Sequence, residues 1–141
     1  MSEASPPPRD ERGRLSLPPR YWVPVVVWLG IMFFFSSLPD PGAVLGPAMS
    51  LGDAALHGSG FVLLALLMCR AAFFLAGRVS LRPVVWALLG CAAYGLLDEI
   101  HQIPIPGRSF EWTDWLTDVA ATAIGASLAW GIARVIARRE K

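Results

Sequence analysis

The sequence predicts an all-α protein: a four-transmembrane-helix bundle with both termini cytoplasmic and a disordered N-terminal tail. Three observations predict it. Hydrophobic residues make up 55% of the 141-residue chain and charged residues only 16%, against roughly 25% charged in a soluble domain. Four segments approach the ~20 mainly apolar residues that a spanning helix needs. Every Lys and Arg except Arg108 lies in the termini or in and beside the second connection, which is one side of a membrane if four helices alternate.

Residues 1–20, MSEASPPPRDERGRLSLPPR, mix prolines with charges of both signs. Such a segment buries too little apolar area to offset the entropy of ordering, so a disordered tail is expected. The apolar run after it is longer than a signal-peptide h-region and lacks a small-x-small cleavage site, which makes it a retained anchor. That first span is expected over 21–38, with Pro24 in its first turn, where a missing N–H does no harm. Tyr21 and Trp22 suit the headgroup level. The second span is expected over 53–77, the third over 83–102 and the fourth over 114–136, so that the membrane domain covers 21–137. Asp114 would anchor the start of the fourth, since an acid favours the positive end of a helix.

Pro and Gly mark 39–52 as a loop, Arg78 to Arg82 as a short turn, and Ile103 to Thr113, with Pro104, Pro106 and Gly107, as a second loop. By the positive-inside rule the basic side is cytoplasmic, so loops one and three face out. This is the topology of a multi-pass plasma or inner membrane protein. Arg70 interrupts the second span: either it snorkels to the interface, or the helix is shorter and an interfacial segment follows. Cys69 and Cys91 lie inside apolar runs without metal-type spacing and read as small buried hydrophobes. A net charge of +1 gives no reason to expect nucleic acid.

The chemistry-bearing residues map to the outer end. Asp53, His57, Asp98, Glu99, His101, Gln102, Arg108, Glu111, Asp114 and Asp118 come from three helices and one loop. Ionisable groups at membrane depth are costly and usually face the bundle interior or a wet cavity. Asp53 and His57 are four apart and share a face, as do Asp114 and Asp118. Asp98 reaches both His101 and Gln102, whereas Glu99 points about 100° away. One of those two acids would satisfy loop backbone or pair with Arg108. Helix caps and a single ion pair would account for some of these groups, but not for two histidines, a glutamine and so many acids at one end.

Four pieces carry a resemblance: FSS at Phe35 to Ser37; Asp53, His57 and Phe61 in a DKxxH-type pattern with a following aromatic; YGLLDEIHQ at Tyr94 to Gln102 followed by IPGR at Ile105 to Arg108; and Asp114, Asp118 and Gly125 opening the last helix. In these the chain resembles the VanZ-like family of small integral membrane proteins, from about residue 22 to 132. It departs from the pattern at Ala54, where a lysine is usual, at Asp118, often Asn, and at Ala121, often Gly. The resemblance implies membrane placement and a cell-envelope role. The family's name-giving member is associated with lowered susceptibility to the glycopeptide teicoplanin, so a link to antibiotic resistance is implied by resemblance alone.

Two functional readings follow. In one, the outer end binds a lipid or cell-envelope component, with Asp53, His101, Gln102, Arg108, Asp114 and Asp118 as binding residues; membrane lipids, and a lipid-linked envelope precursor among them, are the expected partners. In the other, the chain is a small membrane enzyme acting on a lipid-linked or phosphate-bearing envelope substrate. There His57 is the acid or base, Asp98 and Glu99 are an acid pair with one pKa raised by burial, and Arg108 clamps an anionic group. Carboxylates with histidine are also compatible with a divalent metal, although no contiguous motif such as HExxH is present. A proton path fits less well, because 62–69 and 84–89 carry no ionisable relay.

Overall fold

The structure, a computed structural model, describes residues 18–41, 44 and 53–139; the side chains of 53–57 are outside what it describes. Of the expected tail over 1–20, residues 1–17 lie outside the described residues, as does most of the first loop. The described chain contains four long helices and no strands: α1 Pro19–Ser36, α2 Asp53–Ala76, α3 Leu81–Gln102 and α4 Trp112–Arg139. All four, α2 from Gly58 on, are long and apolar enough to cross a membrane.

Each boundary has a local cause. Pro19 sits at the first position of α1 and Pro83 at the third of α3, where backbone N–H groups have no intrahelical acceptor and proline costs little. Gly77 ends α2 with φ +60°, and its N–H bonds the Phe74 carbonyl at 3.2 Å, a left-handed C-terminal stop that suits a residue without Cβ. Gly107, at φ +82°, turns the α3–α4 loop over 103–111.

The start of α1 departs from the expectation. Because the helix begins at Pro19, Pro24 is inside it rather than in its first turn. Proline has no N–H to give the carbonyl four residues back, which is that of Arg20. Arg70 Nη1 donates to the Arg20 carbonyl oxygen instead, at 2.9 Å. Such substitution by a neighbouring helix is how proline is tolerated in spanning helices. It also settles the place of Arg70: α2 runs unbroken past it to Ala76, and the side chain is directed to the start of α1.

Cross-helix contacts fix an up-down-up-down order. Trp28 of α1 donates its Nε1–H to the Gly60 carbonyl of α2 at 2.9 Å, while Tyr21, near the start of α1, stacks on Phe74, near the end of α2. The two helices are therefore antiparallel. Trp115 Nε1–H donates to the Ala92 carbonyl at 3.0 Å, while Glu111, just before α4, bonds Glu99, further along α3, so α3 and α4 are antiparallel. A Cβ on Gly58 would touch Ala121 and one on Gly125 would meet Val62 and Ala65, so α2 and α4 run in the same direction. Lipid tails give helices little hydrophobic reason to associate, so close approach through small residues and such interhelical bonds hold them. The Trp28 indole is turned to α2, while Phe33 and Phe34 of the same helix are exposed. Trp28→Phe and Trp115→Phe should each lower stability by about 1 kcal/mol, read as a lower unfolding midpoint in detergent; no change in either would mean that the indole bonds do not hold the helices.

α2 and α3 each contact all three other helices, whereas α1 and α4 do not touch among the described residues. The core between the helices is Val25 of α1, Phe61, Leu64, Ala65 and Cys69 of α2, Val84, Ala87 and Cys91 of α3, and Ala121, Ala126 and Ala129 of α4. Both cysteines are free and buried, as their apolar neighbours suggest.

Candidate functional site

The buried stripe of α3 starts with Val84, Ala87 and Cys91, passes Gly95, and ends with Asp98, Glu99 and Gln102. The buried stripe of α4 runs the other way, from Asp118 and Thr122 down to Ala126 and Ala129. The same faces that pack the bundle thus become polar at one end, where α1 and α3 finish and α2 and α4 begin. The acids there are inside the bundle: Glu99 and Asp118 are each 1% exposed and Asp98 5%. Groups so placed lose their hydration and need partners.

Several partners are supplied by the helices themselves. Gln102 Nε2 uses both its hydrogens, one to Asp98 Oδ2 and one to Ser36 Oγ, each at 3.2 Å. This ties the end of α1 to α3. Glu99 Oε2 accepts the Glu111 backbone N–H at 2.8 Å and so holds the returning loop, one of the two roles expected of this acid pair. Ser37 Oγ donates to the Phe33 carbonyl at 2.6 Å. Its single hydrogen is then engaged, so at the 3.0 Å contact with His101 the imidazole Nε2 must be the donor. The Phe33 ring lies 4.5 Å from the imidazole, centroid to centroid. The Ser37–His101 contact is for that reason no nucleophile–base pair in this geometry.

Tyr94 sits one turn below Asp98, and its hydroxyl donates to the Leu29 carbonyl at 3.4 Å.

Not every polar atom is matched. Asp98 Oδ1, Thr122 Oγ1 and Arg108 Nε are buried without a hydrogen-bond partner among the described residues. Arg108 is half-buried in the Gly107 turn, its N–H bonded to the Ile105 carbonyl at 3.0 Å; among the described residues its guanidinium forms no ion pair with Asp98 or Glu99.

Of the residues singled out from sequence, Asp98, Glu99, His101, Gln102 and Asp118 are brought to one end and inward, and Arg108 lies in the adjoining loop. Asp53 and His57 are on the first turns of α2 at that same end, but their side chains are outside the described residues. Asp114 is exposed. α4 starts at Trp112, two residues before the expected start, and Asp114 lies in its first turn, at the positive end of the helix as expected. Ser36, Ser37, Tyr94 and Thr122 complete the set and were not singled out as site residues. Among the described residues no three His, Cys, Asp or Glu side chains gather closely enough to hold a metal ion. An apolar groove lined by Ile124, Leu128, Gly131 and Ile132 runs along the outer face of α4 and contains none of these groups.

A family model described as VanZ/LLP1 matches residues 21–136. No curated protein and no solved structure matches the chain.

Proposed function

The chain belongs to the VanZ/LLP1 family and is a multi-pass membrane protein of that type, and from this premise we propose that its polar end binds a lipid or other cell-envelope component. The observation that carries the proposal is the pair of unmatched acceptors, Asp98 Oδ1 and Thr122 Oγ1, both buried where the helices meet. Leaving a buried polar atom without a partner costs about 1–3 kcal/mol. Such groups persist in native proteins where something else uses them. A ligand with hydroxyl or amine donors would satisfy both, and an anionic group such as phosphate on the same ligand would match Arg108. The positive-inside rule puts this end outside the cytoplasm, with Trp112 and Trp115 at headgroup depth, so the ligand would come from the outer leaflet or from a lipid-linked precursor presented there.

Thr122→Val separates a binding role from a structural one. Removing an unmatched hydroxyl at constant shape should stabilise the protein by about 1 kcal/mol, while lowering the amount of envelope lipid that co-purifies in detergent, as measured by mass spectrometry. Arg108→Gln should lower it further, by about tenfold. Unchanged lipid content in both variants would end the binding proposal. In the enzymatic alternative, His57→Ala and Glu99→Gln abolish the envelope phenotype while accumulation in the membrane is intact, and Arg108→Gln only weakens it. A role in glycopeptide susceptibility rests on the family alone.

A further inference from the structure

At the opposite end of the bundle two arginines converge on one aromatic ring. The Arg20 guanidinium carbon lies 5.2 Å from the centroid of the Tyr21 ring and that of Arg70 lies 4.7 Å from it. Both side chains are exposed, and neither has a carboxylate partner among the described residues. The described acids, Asp40, Asp98, Glu99, Glu111, Asp114 and Asp118, all belong to the other end or its loops. Two like charges held about one ring repel each other, and nothing described neutralises them.

We propose that Arg20 and Arg70 form a binding site for the phosphate of an anionic membrane lipid, between the start of α1 and the end of α2. Arg70 is pre-positioned: the bond to the Arg20 carbonyl, left open by Pro24, fixes its guanidinium with one donor. Its other N–H groups have no partner among the described residues. A planar fork of donors suits phosphate oxygens, which it can hold by two parallel bonds. Tyr21, stacked on Phe74 with ring centroids 4.0 Å apart, is an aromatic pair of the kind found at headgroup depth. Val23 and Leu75, beside these residues in sequence, are exposed large hydrophobics. Acyl chains would cover them, and a soluble phosphate would leave them bare, which favours the lipid as the source.

The site is independent of the acidic end, so its failure leaves the proposed function standing. The test uses the full chain in nanodiscs of phosphatidylcholine, with or without a minority of phosphatidylglycerol, and counts lipids retained after release into detergent by native mass spectrometry. The wild type is expected to retain phosphatidylglycerol in preference to phosphatidylcholine. Arg20→Gln, whose side chain makes no described hydrogen bond, should weaken retention about fivefold, the effect of one basic residue at an anionic surface. Arg70→Lys keeps the charge and loses the fork, and should fall between them. Equal retention by wild type and Arg20→Gln would overturn the proposal, as would equal retention of the two lipids. Stabilisation by inorganic phosphate in pure phosphatidylcholine discs, with no gain from phosphatidylglycerol, would assign the site to a soluble anion and overturn the lipid.

Discussion

Gly125→Ala is expected to destabilise the bundle by about 3 kcal/mol, the upper end of the range for overpacking. A Cβ at this position would run into the Val62 carbonyl oxygen of α2, and would lie 2.9 Å from the Ala65 Cβ and 3.0 Å from the Val62 carbonyl carbon. Most of what it meets is backbone, which cannot turn aside as a side chain can. α2 and α4, whose first turns lie at the polar end, would have to separate. Gly131→Ala and Gly30→Ala are the comparisons, because a Cβ at either has nothing within 4 Å. In those two the gain in helix propensity, up to about 1 kcal/mol, is unopposed. Unfolding midpoints in the same detergent should order Gly131→Ala at or above wild type and Gly125→Ala far below it. Coincident midpoints for the two would show that the α2–α4 approach is looser than described.

Glu99→Leu is expected to release the α3–α4 loop. The Glu111 N–H is held by the Glu99 carboxylate at 2.8 Å, and a hydrogen bond to a charged acceptor contributes about 1.5–3 kcal/mol. Amide exchange at Glu111 should then accelerate by about 10- to 150-fold. Glu99→Gln keeps an acceptor oxygen and should lose roughly half of that protection, charge-assisted bonds being about twice as strong as neutral ones. Glu99 has further contacts, so some loss of global stability accompanies Glu99→Leu. The local signature is exchange at Glu111 that rises more than exchange in the middle of α3. If both regions accelerate equally, Glu99 supports the whole bundle and has no special hold on the loop.

The four helices were legible because a spanning helix must be long and apolar, and little else in a sequence looks like that. Their ends were less so. Pro18, Pro19 and Arg20 read as tail, yet proline at a first helical position extends α1 backward and changes what Pro24 means. Trp112 and Thr113 read as loop, and their inclusion in α4 moves Asp114 from its first residue into its first turn. The end at which the site lies followed from charges, since Asp98, Glu99 and Asp118 have few cheap places to go in a membrane. The uncharged members were hidden. Ser36, Ser37, Tyr94 and Thr122 are ordinary residues on helices, and only spacing would have marked Tyr94 and Thr122, each one turn from an acid on a buried stripe. That Arg70 would answer a carbonyl opened by Pro24 was not legible at all, because it needs the register of two antiparallel helices.

That last contact constrains how the sequence can change over generations. A proline inside α1 is tolerable while a long donor sits at position 70, and a cation within an apolar helix is tolerable while an open carbonyl awaits it. Each residue licenses the other across 46 positions of chain, from 24 to 70. Substitution at one should therefore be followed by substitution at its mate, and lineages that have lost the proline should also be free of the arginine.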